Sequence, residues 1–129
     1  MTGDRRPIRI VGFSGYLGDR FDAFAEAMAC EDVDVLVGDY LAEFTLAARS
    51  ARRDSGRPGY VGYFVDQLAP HLDQLAALDR KVVINAGGFD PAGLAHSLRE
   101  RAAASGAALR VAHVEGDDIL DRIDDLLRF

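Results

Sequence analysis

The chain has 129 residues, of which 49% are hydrophobic and 28% charged. That is enough for one domain whose core removes roughly two thirds of the unfolded surface from water. A net charge of −6 argues against a broad nucleic-acid surface or an electrostatic hold on anionic lipid. One cysteine, Cys30, excludes an intrachain disulfide framework. The opening "MTGDRRPIRIVGF" is unlike a signal peptide, and no run reaches the roughly 18 apolar residues of a membrane span. A cytoplasmic protein is the expectation.

The first strand is expected over Ile8–Phe13, "IRIVGF". Phe21, Phe24, Ala25 and Met28 then recur at helical spacing. The second strand is Val33–Gly38, and Leu41, Phe44, Thr45 and Ala48 mark the helix after it. A loop, "RRDSGRPG", leads to a stripe of Val61, Phe64, Leu68, Leu75 and Leu78. Pro70 inside that stripe predicts a kink or two helices. The third strand is Lys81–Ala86. It is followed by a helix carrying Leu94, Ala95, Leu98 and Ala102, with Gly106 as its stop. A fourth strand, Leu109–Val114, and a last helix with Ile119, Leu120, Ile123, Leu126 and Leu127 complete the pattern.

Strands rich in valine and isoleucine that alternate with helices predict one α/β domain over residues 1–129. The expected architecture is three-layer αβα. Its open, mainly parallel sheet has about four strands, Rossmann-like or flavodoxin-like, in the order 2-1-3-4. Ligands of such sheets bind beyond the carboxyl ends of the strands. The glycines and acids of this chain gather at those ends: "GFSGYLGDRFD", "VGDYLAEF", "NAGGFDP" and "VEGDD".

Helix capping explains part of this. Asp19, Asp39, Asp90 and Asp117 each precede a helical pattern, and Asp90 is followed by Pro91 at the first helical position. Glu43, Glu115, Asp118, Asn85 and Ser14 exceed what capping needs. Catalytic candidates are Glu115, Asp117 and Asp39. Glu115 would be general acid or base, and the aspartates would orient water or a cation. Ser14, Gly15, Arg20, Tyr40, Glu43, Asn85, Gly87 and Gly88 are candidates for substrate binding, with N–H groups near Gly87 and Gly88 holding a carboxylate or thioester oxygen.

Several chemistries are excluded or weak. The only lysine, Lys81, opens the third strand at the far rim, so neither a Walker A lysine nor a Schiff base is expected on the candidate rim. The glycines at 12, 15 and 18 break the dinucleotide fingerprint, though Asp39 sits where a ribose-binding acid would. "GFSGY" departs from a nucleophile elbow at Tyr16, and His113 is the histidine that would have to serve Ser14. Asp39, Glu43, Glu115, Asp117 and Asp118 supply oxygen ligands for a divalent metal, at a spacing that matches no metal motif. His71 and His96 fall on helices and are assigned no role.

Three joints carry a further signal. "LVGDYLAEFTLA" (Leu36–Ala47), "VVINAGGFDP" (Val82–Pro91) and "VEGDDIL" (Val114–Leu120), with the opening "IRIVGFSGYLGDR", resemble the N-terminal region of the acyclic terpene utilisation AtuA family. The resemblance implies a role in catabolism of acyclic terpenes such as citronellol and geraniol, whose intermediates travel as CoA thioesters. It implies a small organic acid or acyl-CoA as substrate, with a hydratase or other carbon–oxygen lyase as the concrete expectation. Family members are usually longer, so a homo-oligomer or a separate chain supplying the remaining architecture is expected. The rival reading is a non-catalytic ligand-binding or assembly subunit.

Overall fold

The computed structural model describes residues 6–50 and 56–128. The first half of the expected "RRDSGRPG" loop thus lies outside the described residues. Strand β1 is Ile10–Ser14, β2 is Val35–Gly38 and β3 is Lys81–Ile84. Helix α1 is Ala23–Ala29, α2 is Glu43–Ser50, α3 is Gly62–Leu68, α4 is Leu72–Leu78, α5 is Pro91–Ser105 and α6 is Ile123–Leu126. No helix among the described residues is long and apolar enough to cross a membrane.

The sheet is parallel, as expected, but its order is 1-2-3. The expected order 2-1-3-4 is corrected: β2, not β1, lies in the middle. Rows run Val11–Leu36–Val82 and Gly12–Val37–Val83. The first row faces the core, with Leu36 fully buried at its centre. Phe13 joins it from β1 after a register shift between Gly12 and Ser14. Successive right-handed crossovers in one direction place their helices on one face. One apolar cluster accordingly contains Phe24 and Met28 of α1, Phe64 and Leu68 of α3, Leu72 of α4 and Leu94 of α5. On the opposite face Ile10 is 65% and Val83 57% exposed.

The expected fourth strand forms no ladder. Residues 109–114 form no regular element; residues 111–114 share a groove with β3, and Leu109 and Val111 are turned partly onto the core. Arg99 Nη2 donates to the Val111 carbonyl at 2.7 Å, so a helix side chain holds this segment where a strand neighbour would. The final apolar stripe makes a 3-10 turn, Leu120–Arg122, and the short α6. None of α6 is buried.

Local chemistry explains the helices that match expectation. Pro70 sits in a 3-10 turn, Ala69–His71, that separates α3 from α4. Helix α5 starts at Asp90, whose carboxylate accepts from Gly93 N at 2.8 Å, and ends at Gly106 in the left-handed region. Leu94, Ala95, Leu98 and Ala102 form its buried stripe. A methyl group at Gly93 would collide with the Asp90 carboxylate. We therefore expect Asp90→Ala to cost about 1 kcal/mol. Gly93→Ala should give no gain, because it displaces the same cap although alanine is the better helix former. Urea unfolding of the two variants checks both statements.

A buried polar brace links the layers. Tyr40 and Gln67 are both buried, and the Tyr40 hydroxyl donates to Gln67 Oε1 at 2.6 Å. Gln67 Nε2 donates to the carbonyls of Arg20 and Phe21 at 3.1 and 3.0 Å. Burial pushes the Tyr40 pKa well above the ordinary phenol value. Tyr40 is thus a core residue that joins β2 to α3 and to the loop before α1. Its side chain does not face a ligand cavity.

Candidate functional site

A groove of about 550 Å³ runs between the free edge of β3 and residues 111–117. It exists because the 109–114 segment stands off from β3 instead of pairing with it. Its floor is apolar, from Leu41, Val82, Ile84, Leu94, Leu98 and Val111. Its polar end is formed by Asn85, Gly87, Gly88, His113, Glu115 and Asp117. Size and lining suit a small organic ligand with one polar end.

The polar lining comes from two separate segments. After β3 the chain bends through Gly87 and Gly88, the latter at φ +55°. Gly88 N donates to Asn85 O at 3.4 Å, and Asp90 N to Gly87 O at 2.9 Å. The Gly87 N–H is taken up by no backbone carbonyl among the described residues. On the other wall, His113 Nε2 lies 3.4 Å from Glu115 Oε1. The Glu115 side chain is 58% exposed, so this carboxylate is wet.

Asn85 has structural work as well. Its Oδ1 accepts from Tyr40 N, and its Nδ2 donates to Asp39 Oδ1, both at 2.7 Å. Asp39 Oδ1 also accepts from Leu41 N at 3.1 Å. Asn85 and Asp39 thus clasp the ends of β3 and β2, which helps to fix β2 as the central strand. Asp39 is not part of the groove lining.

The other candidates lie elsewhere. Ser14, Gly15 and Arg20 line a shallow hollow beside α1. Ser14 Oγ is within 3.2 Å of the Tyr16 carbonyl and 3.1 Å of the Asp39 carbonyl, while His113 lines the groove, so the two form no nucleophile–base pair. Arg20 pairs with Asp22 and Glu26. Glu43 is exposed in the first turn of α2. No cluster of three or more metal-binding side chains occurs among the described residues, so the five carboxylates considered for a cation are not gathered. His71 packs on Phe24, and His96 lies 3.2 Å from Glu100.

The first loop is held by charge. Asp19 Oδ2 accepts from Gly15 N at 3.0 Å and Oδ1 from Arg20 N at 2.8 Å. These backbone donors, Gly15 first, hold its carboxyl below the ordinary value. Asp19 is therefore a loop clamp and not the helix cap expected. Asp34 is lowered likewise, by the Arg6 guanidinium first and then by Arg9 N–H. A carboxyl lowered on folding contributes stability above its unfolded pKa and loses it as pH falls through the folded one. The chain should therefore become easier to unfold in urea as pH drops below about 4. Asp19→Asn should reduce that dependence, and unchanged pH dependence would count against the clamp.

A family model described as acyclic terpene utilisation family protein AtuA matches residues 8–128. The chain belongs to that family. No curated protein and no solved structure gives a significant match. Membership connects this AtuA-family chain to acyclic terpene utilisation. The two motif blocks "VVINAGGFDP" and "VEGDDIL" supply the groove's two polar turns. The block "LVGDYLAEFTLA" supplies the clasp residue Asp39 and the floor residue Leu41.

Sequence reasoning passed over one feature. A second cavity, of about 480 Å³, lies between α2 and residues 57–60 and contains Arg49 and Arg57. Its only sequence signal is a pair of arginines flanking a loop, which ordinarily reads as solvated surface.

Proposed function

We propose that this chain is a catabolic enzyme domain or subunit of acyclic terpene metabolism. Its ligand is an acyclic acid or acyl-CoA thioester held in the groove beside β3. The hydrocarbon chain lies on Val82, Ile84, Leu94, Leu98 and Val111. The carbonyl end lies at Gly87, opposite Glu115. The observation that carries this reading is one apolar groove whose lining holds Asn85, Gly87 and Gly88 together with His113, Glu115 and Asp117.

The reaction that suits this arrangement is hydration of a double bond conjugated to the thioester. Glu115 takes a proton from water as the water oxygen bonds to the β-carbon. Electron density moves to the thioester oxygen, which the Gly87 N–H stabilises. Glu115 then returns the proton to the α-carbon, so the elements of water are added and no other reactant is consumed. His113 orients the Glu115 carboxylate, and Asp117 positions the water.

Thermal unfolding with citronellic acid, its CoA thioester and free CoA tests the binding step. A ligand at 100 times its Kd adds about 2.7 kcal/mol of stability. The acid and thioester should raise the Tm and free CoA should not. Glu115→Gln should keep that shift and abolish hydration of an unsaturated thioester. No shift from either acyl ligand would refute the reading.

The exposed sheet face favours a second reading, an assembly subunit. Ile10 and Val83 are uncovered there, and an apolar parallel sheet is ordinarily covered on both faces. In that reading a second copy or a separate chain completes the three-layer, Rossmann-like architecture and pairs residues 109–114 as a fourth strand. Light scattering of the purified chain distinguishes this from a functional monomer.

A further inference from the structure

The cavity between α2 and residues 57–60 is walled by Phe44, Arg49, Arg57, Tyr60 and Phe89, with Asp90 at its margin. Arg49 has an unusual set of partners. Its Nη1 donates to the carbonyl of Tyr60 at 2.8 Å and approaches that of Gly59 at 3.4 Å. Its Nε is the one buried side-chain polar atom without a hydrogen-bond partner among the described residues. No carboxylate pairs with Arg49 or Arg57 among the described residues. The nearest acid of the cavity, Asp90, is already engaged by Gly93 N as the cap of α5.

Arg49 and Arg57 line this one cavity, and neither makes an ion pair with an acid among the described residues. A guanidinium presents a planar fork of donors that matches a carboxylate or phosphate. A buried donor left unmade is costly. Aromatic walls add a place for a planar or apolar body. Phe44 is 83% exposed, so an otherwise unaccountable aromatic ring stands at the mouth.

We propose that this cavity is a second binding site, for a small organic anion that joins a carboxylate or phosphate monoester to an apolar body. Arg49 binds the anionic head from within, Arg57 closes over it from the rim, and Phe44 and Tyr60 hold the body. The site is separate from the groove beside β3, so its ligand and its test do not depend on the function proposed there.

Nitrogen-15 NMR titration with benzoate, phenyl phosphate and uncharged benzyl alcohol tests it. Both anions should shift the Arg49 Nε–H and the Tyr60 amide saturably, and benzyl alcohol should not. The tighter of the two anions identifies the head group. Arg57 is exposed, so Arg57→Met should keep the fold and weaken anion binding by about tenfold. Arg49→Lys, which retains the charge and loses the Nε donor, should also weaken it. The proposal fails if neither anion saturates by roughly 10 mM, a range that still detects millimolar affinity. It fails equally if benzyl alcohol matches the anions, or if Arg57→Met binds like the parent chain.

Discussion

Gln67→Leu is expected to destabilise the chain by about 3 kcal/mol, because it leaves the buried Tyr40 hydroxyl and two part-buried carbonyls unpaired at once. Leucine preserves the volume but offers no partner to the Tyr40 hydroxyl or to the carbonyls of Arg20 and Phe21. The Tyr40 hydroxyl, with its residue wholly buried, has no route to water. Tyr40→Phe alone should cost less, since Gln67 keeps both carbonyls. The double variant should be more stable than the sum of the single losses predicts, because phenylalanine removes the orphaned hydroxyl. Urea unfolding of the four proteins gives the cycle. Strict additivity, or a loss below about 0.5 kcal/mol for Gln67→Leu, would mean that the brace carries little.

Gly88→Ala is expected to cost about 3 kcal/mol, from a left-handed backbone and a backbone collision together. Gly88 stands at φ +55°, and a β-carbon there would lie 2.6 Å from the Gly59 carbonyl oxygen. That oxygen cannot swing aside, because it accepts from Phe89 N at 3.3 Å. Gly18 provides the control. Its φ is +88°, but a β-carbon there would meet nothing within 4 Å. Gly18→Ala should therefore cost only about 1 kcal/mol, the conformational part alone. Equal losses at the two sites would show that packing of the β3–α5 turn on residue 59 is unimportant. This turn also carries Asn85, Gly87 and Gly88 of the groove lining.

The parts of the fold set by local chemistry were legible in the sequence. Asp90, Pro91 and Gly106 bound α5 through bonds made within a few residues. Pro70 marks the break between α3 and α4 for the same reason. Valine and isoleucine runs located three strands, because strands that pack on the core need apolar side chains. Long-range choices were not legible. The pairing of β2 with β3 is reinforced by the Asn85–Asp39–Tyr40 clasp, whose partners lie 45 and 46 residues apart. Residues 109–114 read as a strand, and nothing local reveals that they join no ladder and that the Val111 carbonyl accepts from Arg99 instead.

The candidate site was legible in part. The rule that ligands gather at strand ends brought out Asn85, Gly87, Gly88, Glu115 and Asp117, which the fold sets around one groove. Tyr40 was misread because its neighbour Asp39 lies on the rim, while its own ring turns inward to Gln67. Gln67 itself gave no signal: one glutamine in a helix is ordinary until its partners are known. Arg49 escaped attention for the same reason, since a buried Nε is a property of packing.

The central claim is that the groove beside β3 holds the acyl ligand. Amide NMR during titration with citronellic acid tests it most directly. Saturable shifts confined to Gly87, Gly88, Val111, His113 and Val114, and lost when Leu98→Glu places a charge on the groove floor, are the expected result. Saturable shifts confined to the Arg49 cavity or to the open sheet face, with the groove amides unmoved, would contradict it.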